Sequence, residues 1–215
     1  MFDTILFDLD GTLTNPFMGI TGGIIYALER LGYDCPLREE LTSFIGPPLC
    51  DEFPRRFNMD KAVVEEAVRL YRVYYAERGL YENELVGGAY ELLAELKEKG
   101  KQICLATSKP LVFAEKILQY FKLDRFFDYI GAATMDGKIG TKGDVIRLVL
   151  ENTGAEPRRC LMVGDRFHDI VGAHEAGMKC AAVLVGFGSR EEFAEYGADY
   201  ICEALSEIAE IIRHK

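Results

Sequence analysis

Two carboxylates, Asp8 and Asp10, stand in the stretch Phe7-Asp8-Leu9-Asp10-Gly11-Thr12-Leu13, which follows straight on the apolar Ile5-Leu6. This junction constrains the fold more than any other part of the chain. A short apolar run bounded by Gly reads as a buried strand. Ionised groups are rarely left at the end of such a strand without a charge partner or a metal. Open α/β sheets place their ligands at the carboxyl ends of strands. The i, i+2 spacing sends both side chains to the same side where the path stays extended. Gly11 then permits a sharp departure, and Thr12 adds a hydroxyl. Taken alone, the same residues also suit a capped strand end and turn.

Beyond this junction the chain changes texture twice. Ile20, Ile24, Leu28 and Leu31 recur at helical spacing before Gly32, a short helix is expected over Leu37–Phe44, and another over about Leu49–Phe57. Val64, Val68, Tyr71 and Tyr75 form one stripe over Lys61–Arg78, with Gly79 as a stop. Residues 15–83 therefore read as a small all-helical insert. Past Gly87-Gly88, apolar runs such as Ile103-Cys104-Leu105-Ala106, Cys160-Leu161-Met162-Val163 and Ala181–Val185 alternate with helical patterns, among them one from Asp144 to about Asn152, the mark of a parallel sheet with crossover helices. The fold expected is α/β. A Rossmann-like parallel sheet with helices on both faces is built from residues 1–14 and 84–215, and the helical cap domain is inserted after the first strand.

The right-handed crossover rule gathers strand ends of one sense along one edge. That edge collects Asp8 and Asp10, then Thr107 and Ser108, then Asp165 and Asp169, and the loop carrying Lys142 can reach it. These groups are scattered over about 160 residues, yet each follows an apolar strand or opens a helix, so they are expected to share one crevice. Pro110 suits the first turn of the helix that follows, and Ser108 before it is expected to present its backbone N–H at that helix start.

Asp8 to Thr12 resembles the first signature of the haloacid dehalogenase-like superfamily, specifically its phosphatase branch. Thr107 is similar to the second signature, Lys142 in Gly140-Thr141-Lys142-Gly143-Asp144 to the third, and Gly164-Asp165 with Asp169 to the fourth. The resemblance extends along the whole chain, helical insert included. It implies that Asp8 is the nucleophile that accepts a phosphoryl group, that Asp10 is the general acid and base, and that Thr107 hydrogen-bonds the transferring group. It further implies a phosphate site of Asp8, Gly11, Thr107, Ser108 and Lys142, with Lys142 shielding the nucleophile from the substrate's charge. Magnesium would be held by Asp8, Asp10 and Asp165, with Asp169 either touching it or ordering its waters or Lys142. As alternatives, Lys138 could take the place of Lys142, and Asp169 could be a helix N-cap alone. The nearest look-alikes are phosphoglycolate phosphatase-like and 5′-nucleotidase-like enzymes. The runs Gly164–Ile170 and Thr141–Ile146 are closer to the second.

The physics runs parallel. Carboxylates crowded at one edge repel, a divalent cation relieves the repulsion, and oxygen-only ligands favour magnesium. The formal charge of −10 argues against a nucleic acid polymer or an anionic membrane as partner, because no basic stripe is visible. A small phosphorylated metabolite needs only local cations and backbone N–H groups. No apolar run approaches the ~20 residues of a membrane span, and acidic Asp3 stands where a signal peptide carries basic residues, so cytoplasmic residence is expected. A monomer or homodimer fits equally. The six cysteines have no close pair and read as reduced and mostly structural, and His168, His174 and His214 give a zinc site little support. In the insert, the rigid turn at Gly46, Pro47 and Pro48, with Arg55 and Arg56, is the candidate substrate-specificity region. The competing readings are a phosphomutase of the same fold and, outside enzymology, a phospho-accepting receiver module. The former more often begins its fourth signature with Glu-Asp, and the latter would lack the insert.

Overall fold

The computed structural model describes residues 2–213; His214 lies outside them. The chain divides into two compact units, Met1–Asn15 with Leu85–Lys215, and Pro16–Glu84.

The first unit opens with β1 (Thr4–Phe7) and the short β2 (Thr14–Asn15). The second unit is helical. It comprises α1 (Phe17–Leu31), a 3-10 segment Arg38–Phe44, α2 (Leu49–Phe57) and α3 (Lys61–Tyr74). The apolar stripe of α1 places Ile20, Ile24 and Leu28 in the interior, and Gly32 ends the helix in the left-handed conformation at φ 74°. Asp60 caps α3 by accepting a hydrogen bond from the Val63 amide at 2.9 Å. The single helix expected over Lys61–Arg78 changes character at Tyr75, where a π-helical turn, Tyr75–Gly79, takes over. Leu80 N–H bonds to Tyr75 O at 2.9 Å across the wider loop, and Tyr71 and Tyr75 stack 5.3 Å apart. Gly46 and Pro47 are half-buried in this unit. Arg55 pairs with Glu52 at 2.6 Å, and Arg56 donates to the Glu40 carbonyl at 2.8 Å.

The chain returns through β3 (Glu84–Leu85) to α4 (Ala89–Glu98), β4 (Gln102–Pro110), α5 (Leu111–Tyr120) and β5 (Tyr129–Ala133). There follow α6 (Lys142–Thr153), β6 (Cys160–Gly164), α7 (Phe167–Glu175) and β7 (Lys179–Val183), then α8 (Arg190–Glu195), β8 (Tyr200–Cys202) and α9 (Ser206–Arg213). Six strands form one parallel sheet in the order β5-β4-β1-β6-β7-β8, flanked by helices. Side chains alternate across a strand. Leu6, Cys104, Ala106, Met162, Cys180 and Ala182 join Val145, Ile146 and Val149 of α6 and Ile170 and Ala173 of α7 in one core cluster. The alternate set, Ile5, Phe7, Ile103, Leu105, Leu161 and Val163, is also fully buried, with α4 and α5 packed on β4. Coverage of both faces is why these strands read as continuous apolar runs rather than alternating ones.

Strand order reverses at β1. The chain builds outward through β4 and β5 on one side and through β6, β7 and β8 on the other, so the carboxyl end of β1 is the switch point where such sheets bind ligands. Two local expectations are corrected. Pro110 does not lie in the first turn of α5 but precedes it as N-cap, with ψ 137°. Ser108 consequently sits in the extended end of β4, not at a helix start. Proline disfavours the helical conformation for the residue before it, which keeps Lys109 extended and delays the helix to Leu111.

Candidate active site

Asp8 continues the ladder of β1 by donating its N–H to Val163 O at 2.9 Å. Its Oδ1 accepts from the Leu9 N–H at 2.8 Å and from Lys142 Nζ at 2.8 Å. A tight turn follows, in which the amides of Leu13 and Thr14 both donate to Leu9 O. Gly11 makes that turn at φ 83°, and a Cβ there would lie 2.1 Å from Asp165 Oδ2, so only glycine lets the backbone pass the carboxylate. Thr12 is buried and donates to Asp165 Oδ1 at 3.2 Å.

Asp165 follows β6 directly and is fully buried; the Phe187 N–H also bonds its Oδ2, at 2.8 Å. Burial, then the charges of Asp169 and Asp8, push its pKa well above the usual carboxylate value. Asp169, in the first turn of α7, accepts the Arg166 N–H at 3.1 Å and meets Lys142 Nζ at 2.9 Å. It is therefore both a helix-start residue and a partner of the lysine. A Cβ on Gly164 would stand 2.1 Å from Asp169 Cγ, so close approach dictates glycine there. Burial raises the Asp169 pKa as well, although Lys142 opposes it.

Lys142 is the first residue of α6. Thr141 fixes that helix start through a capping box, its Oγ accepting from the Asp144 N–H while the Asp144 carboxylate accepts from the Thr141 N–H. The ammonium is buried and meets Asp8, Asp169 and, at 2.9 Å, Ala106 O. The Ala106 contact is a hydrogen bond, and the Asp8 and Asp169 contacts are ion pairs. Burial alone would favour loss of the proton, but Asp169 and Asp8 outweigh it and hold the pKa above the usual lysine value. Lys138, the alternative cation, has a side chain 84% exposed and pairs with Asp136.

Asp10 is buried, and its carboxylate does not join the other acidic groups. Its Oδ2 pairs with Lys109 Nζ at 2.5 Å, and its Oδ1 has no hydrogen-bond partner among the described residues. Burial raises the pKa of this group, with Lys109 only partly offsetting it. Of the expected metal set of Asp8, Asp10 and Asp165, the carboxylates of Asp8 and Asp165 come together and that of Asp10 lies outside their group. Oxygens of Asp8, Asp165 and Asp169 lie within 4.8 Å of one another, while the Asp10 carboxylate is held apart by a lysine that the sequence reading left without a role. Thr107, at the end of β4, is buried, and its Oγ accepts the Lys109 N–H at 3.2 Å. Gly46, Pro47, Arg55 and Arg56 belong to the other unit.

The donor set fits a hard divalent cation. In this unit the buried charged groups are Asp8, Asp10, Asp165 and Asp169 against Lys109 and Lys142. Four carboxylates and two ammonium groups leave a formal excess of two negative charges, all among oxygen donors.

A family model described as haloacid dehalogenase-like hydrolase matches residues 5–183. The chain is 42% identical over 211 residues to a 5′-nucleotidase of Pseudomonas aeruginosa, covering 98% of this chain and 96% of that one. It is 37% identical over 191 residues to the tyrosine-protein kinase PtkA of Mycobacterium tuberculosis, covering 89% of this chain and 65% of that protein. Among solved structures, a predicted phosphatase from Clostridium acetobutylicum superimposes with a TM-score of 0.96 at 38% identity, covering all of both chains.

Proposed function

The chain belongs to the haloacid dehalogenase-like hydrolases, and is a phosphoric monoester hydrolase; from that premise we propose a magnesium-dependent phosphatase that acts on a small phosphomonoester through an aspartyl-phosphate on Asp8. The observation that carries this reading is the posture of Asp8. One carboxylate oxygen is tied to the Leu9 N–H and to Lys142, beside two further carboxylates within metal-sharing distance.

Asp8, Asp165 and Asp169 are the residues that would hold magnesium, which when bound supplies the positive charge that lets an anionic phosphoryl group approach an anionic nucleophile. With Oδ1 of Asp8 engaged, Oδ2 is the oxygen that bonds to phosphorus. Asp10, its pKa raised by burial and one oxygen unpartnered, gives its proton to the departing alkoxide. It then takes a proton from the water that cleaves the aspartyl-phosphate. Thr107 already accepts at its Oγ, so its own proton is available for a phosphoryl oxygen, and the Ser108 N–H completes the cradle, the Gly11 N–H being donated to Thr14 O at 2.7 Å. Lys142 is ion-paired with both Asp8 and Asp169, and its part is to hold these two carboxylates rather than to grip the phosphate.

Of the two substrate classes, nucleoside 5′-monophosphates are favoured over phosphoglycolate by the 42% identity with the Pseudomonas 5′-nucleotidase across nearly the whole of both chains. Gly164 in place of an acidic residue before Asp165 counts against a mutase. Phosphate release from 5′-AMP, 5′-UMP, phosphoglycolate, pyrophosphate and 4-nitrophenyl phosphate, with magnesium and with EDTA, tests the reading. The nucleotides should turn over fastest, chelation should stop the reaction, and Asp8→Asn should reduce it to background. Undiminished turnover by Asp8→Asn would falsify the mechanism. Interconversion of a sugar phosphate without free phosphate would replace the phosphatase by a mutase.

A further inference from the structure

Lys109 is buried beside Asp10, and its surroundings explain how a lysine comes to be there. The pairing of β4 with β5 runs from Thr107↔Ala132 directly to Pro110↔Ala133, so Ser108 and Lys109 are extra residues in the ladder. Such a bulge re-aims side chains that a regular strand would send elsewhere, and bulges cluster at functional sites. Pro110 keeps Lys109 extended, and the Lys109 N–H bonds back to Thr107 Oγ at 3.2 Å, which fixes the bulge internally. The ammonium then pairs with Asp10 Oδ2 at 2.5 Å, with both side chains about nine-tenths removed from solvent.

A buried lysine pays a desolvation cost that surface pairing would avoid, and the pair does not serve the three clustered carboxylates, which Lys142 already partners. Its geometric effect falls on Asp10. A carboxylate held at one oxygen cannot rotate freely, and the other oxygen of Asp10 is the one without a partner. We propose that Lys109 is a positioning residue for Asp10, clamping Oδ2 so that Oδ1 faces the leaving-group oxygen. This rests on the role given to Asp10 above. The two lysines divide the site, Lys142 holding the nucleophile and Lys109 holding the acid.

Proton donation matters only when the leaving group is basic. An ester of a weakly basic phenolate departs unaided, whereas an alkyl ester needs the proton. The experiment is kcat/KM, which reports transfer to Asp8, for 2,4-dinitrophenyl, 4-nitrophenyl, phenyl and benzyl phosphate. The chain is compared with its Asp10→Asn, Lys109→Met and Lys109→Arg variants at saturating magnesium. Misplacing a reacting group by about 1 Å costs on the order of 10²-fold. Lys109→Met should therefore lose about that much on benzyl phosphate and little on 2,4-dinitrophenyl phosphate, with the slope steepening as it does for Asp10→Asn. Lys109→Arg, which keeps a donor, should recover part of the loss on the benzyl ester. It also carries the comparison if the methionine variant fails to fold by circular dichroism. A steepened slope for Asp10→Asn, with a uniform loss across all four esters for both lysine variants, overturns the clamp while leaving the acid in place. A flat profile for Asp10→Asn overturns the acid assignment and the clamp together.

Discussion

Lys142 joins residues that are far apart in the chain: Asp8 after β1, Ala106 in β4 and Asp169 in α7 all meet one ammonium. Removing one partner from a buried ionic network leaves uncompensated charge, which typically costs about 3–5 kcal/mol. The Lys142→Met variant should show a loss of that size in urea unfolding in the presence of EDTA, with the denaturant slope unchanged. A loss below about 1 kcal/mol, the range of surface pairs, would mean that the three carboxylates do not depend on the lysine for neutralisation. The cysteines show how far residue type alone misleads. Cys104 and Cys160 are buried as their apolar runs suggested, and so are Cys180 and Cys202, but Cys35 and Cys50 are exposed on the helical unit.

At the scale of elements, the site depends on where a helix begins. Lys142 reaches the carboxylates because α6 starts there and not at Asp144, the start that periodicity suggested. The capping box between Thr141 and Asp144 draws the helix two residues further back. Thr141→Ala should cost about 0.5–2 kcal/mol in stability and should also lower kcat, because fraying of the first turn loosens Lys142. Stability lost with kcat unchanged would separate the cap from the chemistry. The same element logic decides what could be read in advance. Runs such as Ile103–Ala106 and Cys160–Val163 are buried on both faces, so their strands and the acidic or hydroxyl residue after each were legible from hydrophobicity alone. Strand β7 was displaced by two residues, Lys179–Val183 against Ala181–Val185, because polar Lys179 and the apolar run beyond Val183 blur its limits. Lys109 was invisible for a related reason. In Thr107-Ser108-Lys109-Pro110 a lysine before a proline looks like a solvated loop, and only the bulge against β5 turns it inward.

The whole molecule carries a formal charge of −10, of which a local surplus of two negative charges lies in the buried site. Both favour cations, but in different ways. The overall charge attracts any counter-ion, an effect that salt screens over about 10 Å at 0.1 M, whereas the clustered oxygens of Asp8, Asp165 and Asp169 are the proposed site of a small divalent ion, which such a site selects by geometry. No described helix is long and apolar enough to cross a membrane. A ligand bound only by the folded state stabilises it by about 2.7 kcal/mol at a hundred times its dissociation constant. For a domain of this size that is a rise in Tm of about 5–10 °C. Magnesium should produce this rise at concentrations where sodium chloride of equal ionic strength produces little. EDTA should reverse it, and Asp165→Asn should remove most of it, since one of three ligands then lacks its charge. If sodium chloride matched magnesium, or if Asp165→Asn kept the full rise, the cation would be acting on the general charge of the protein and the buried carboxylates would not be its site.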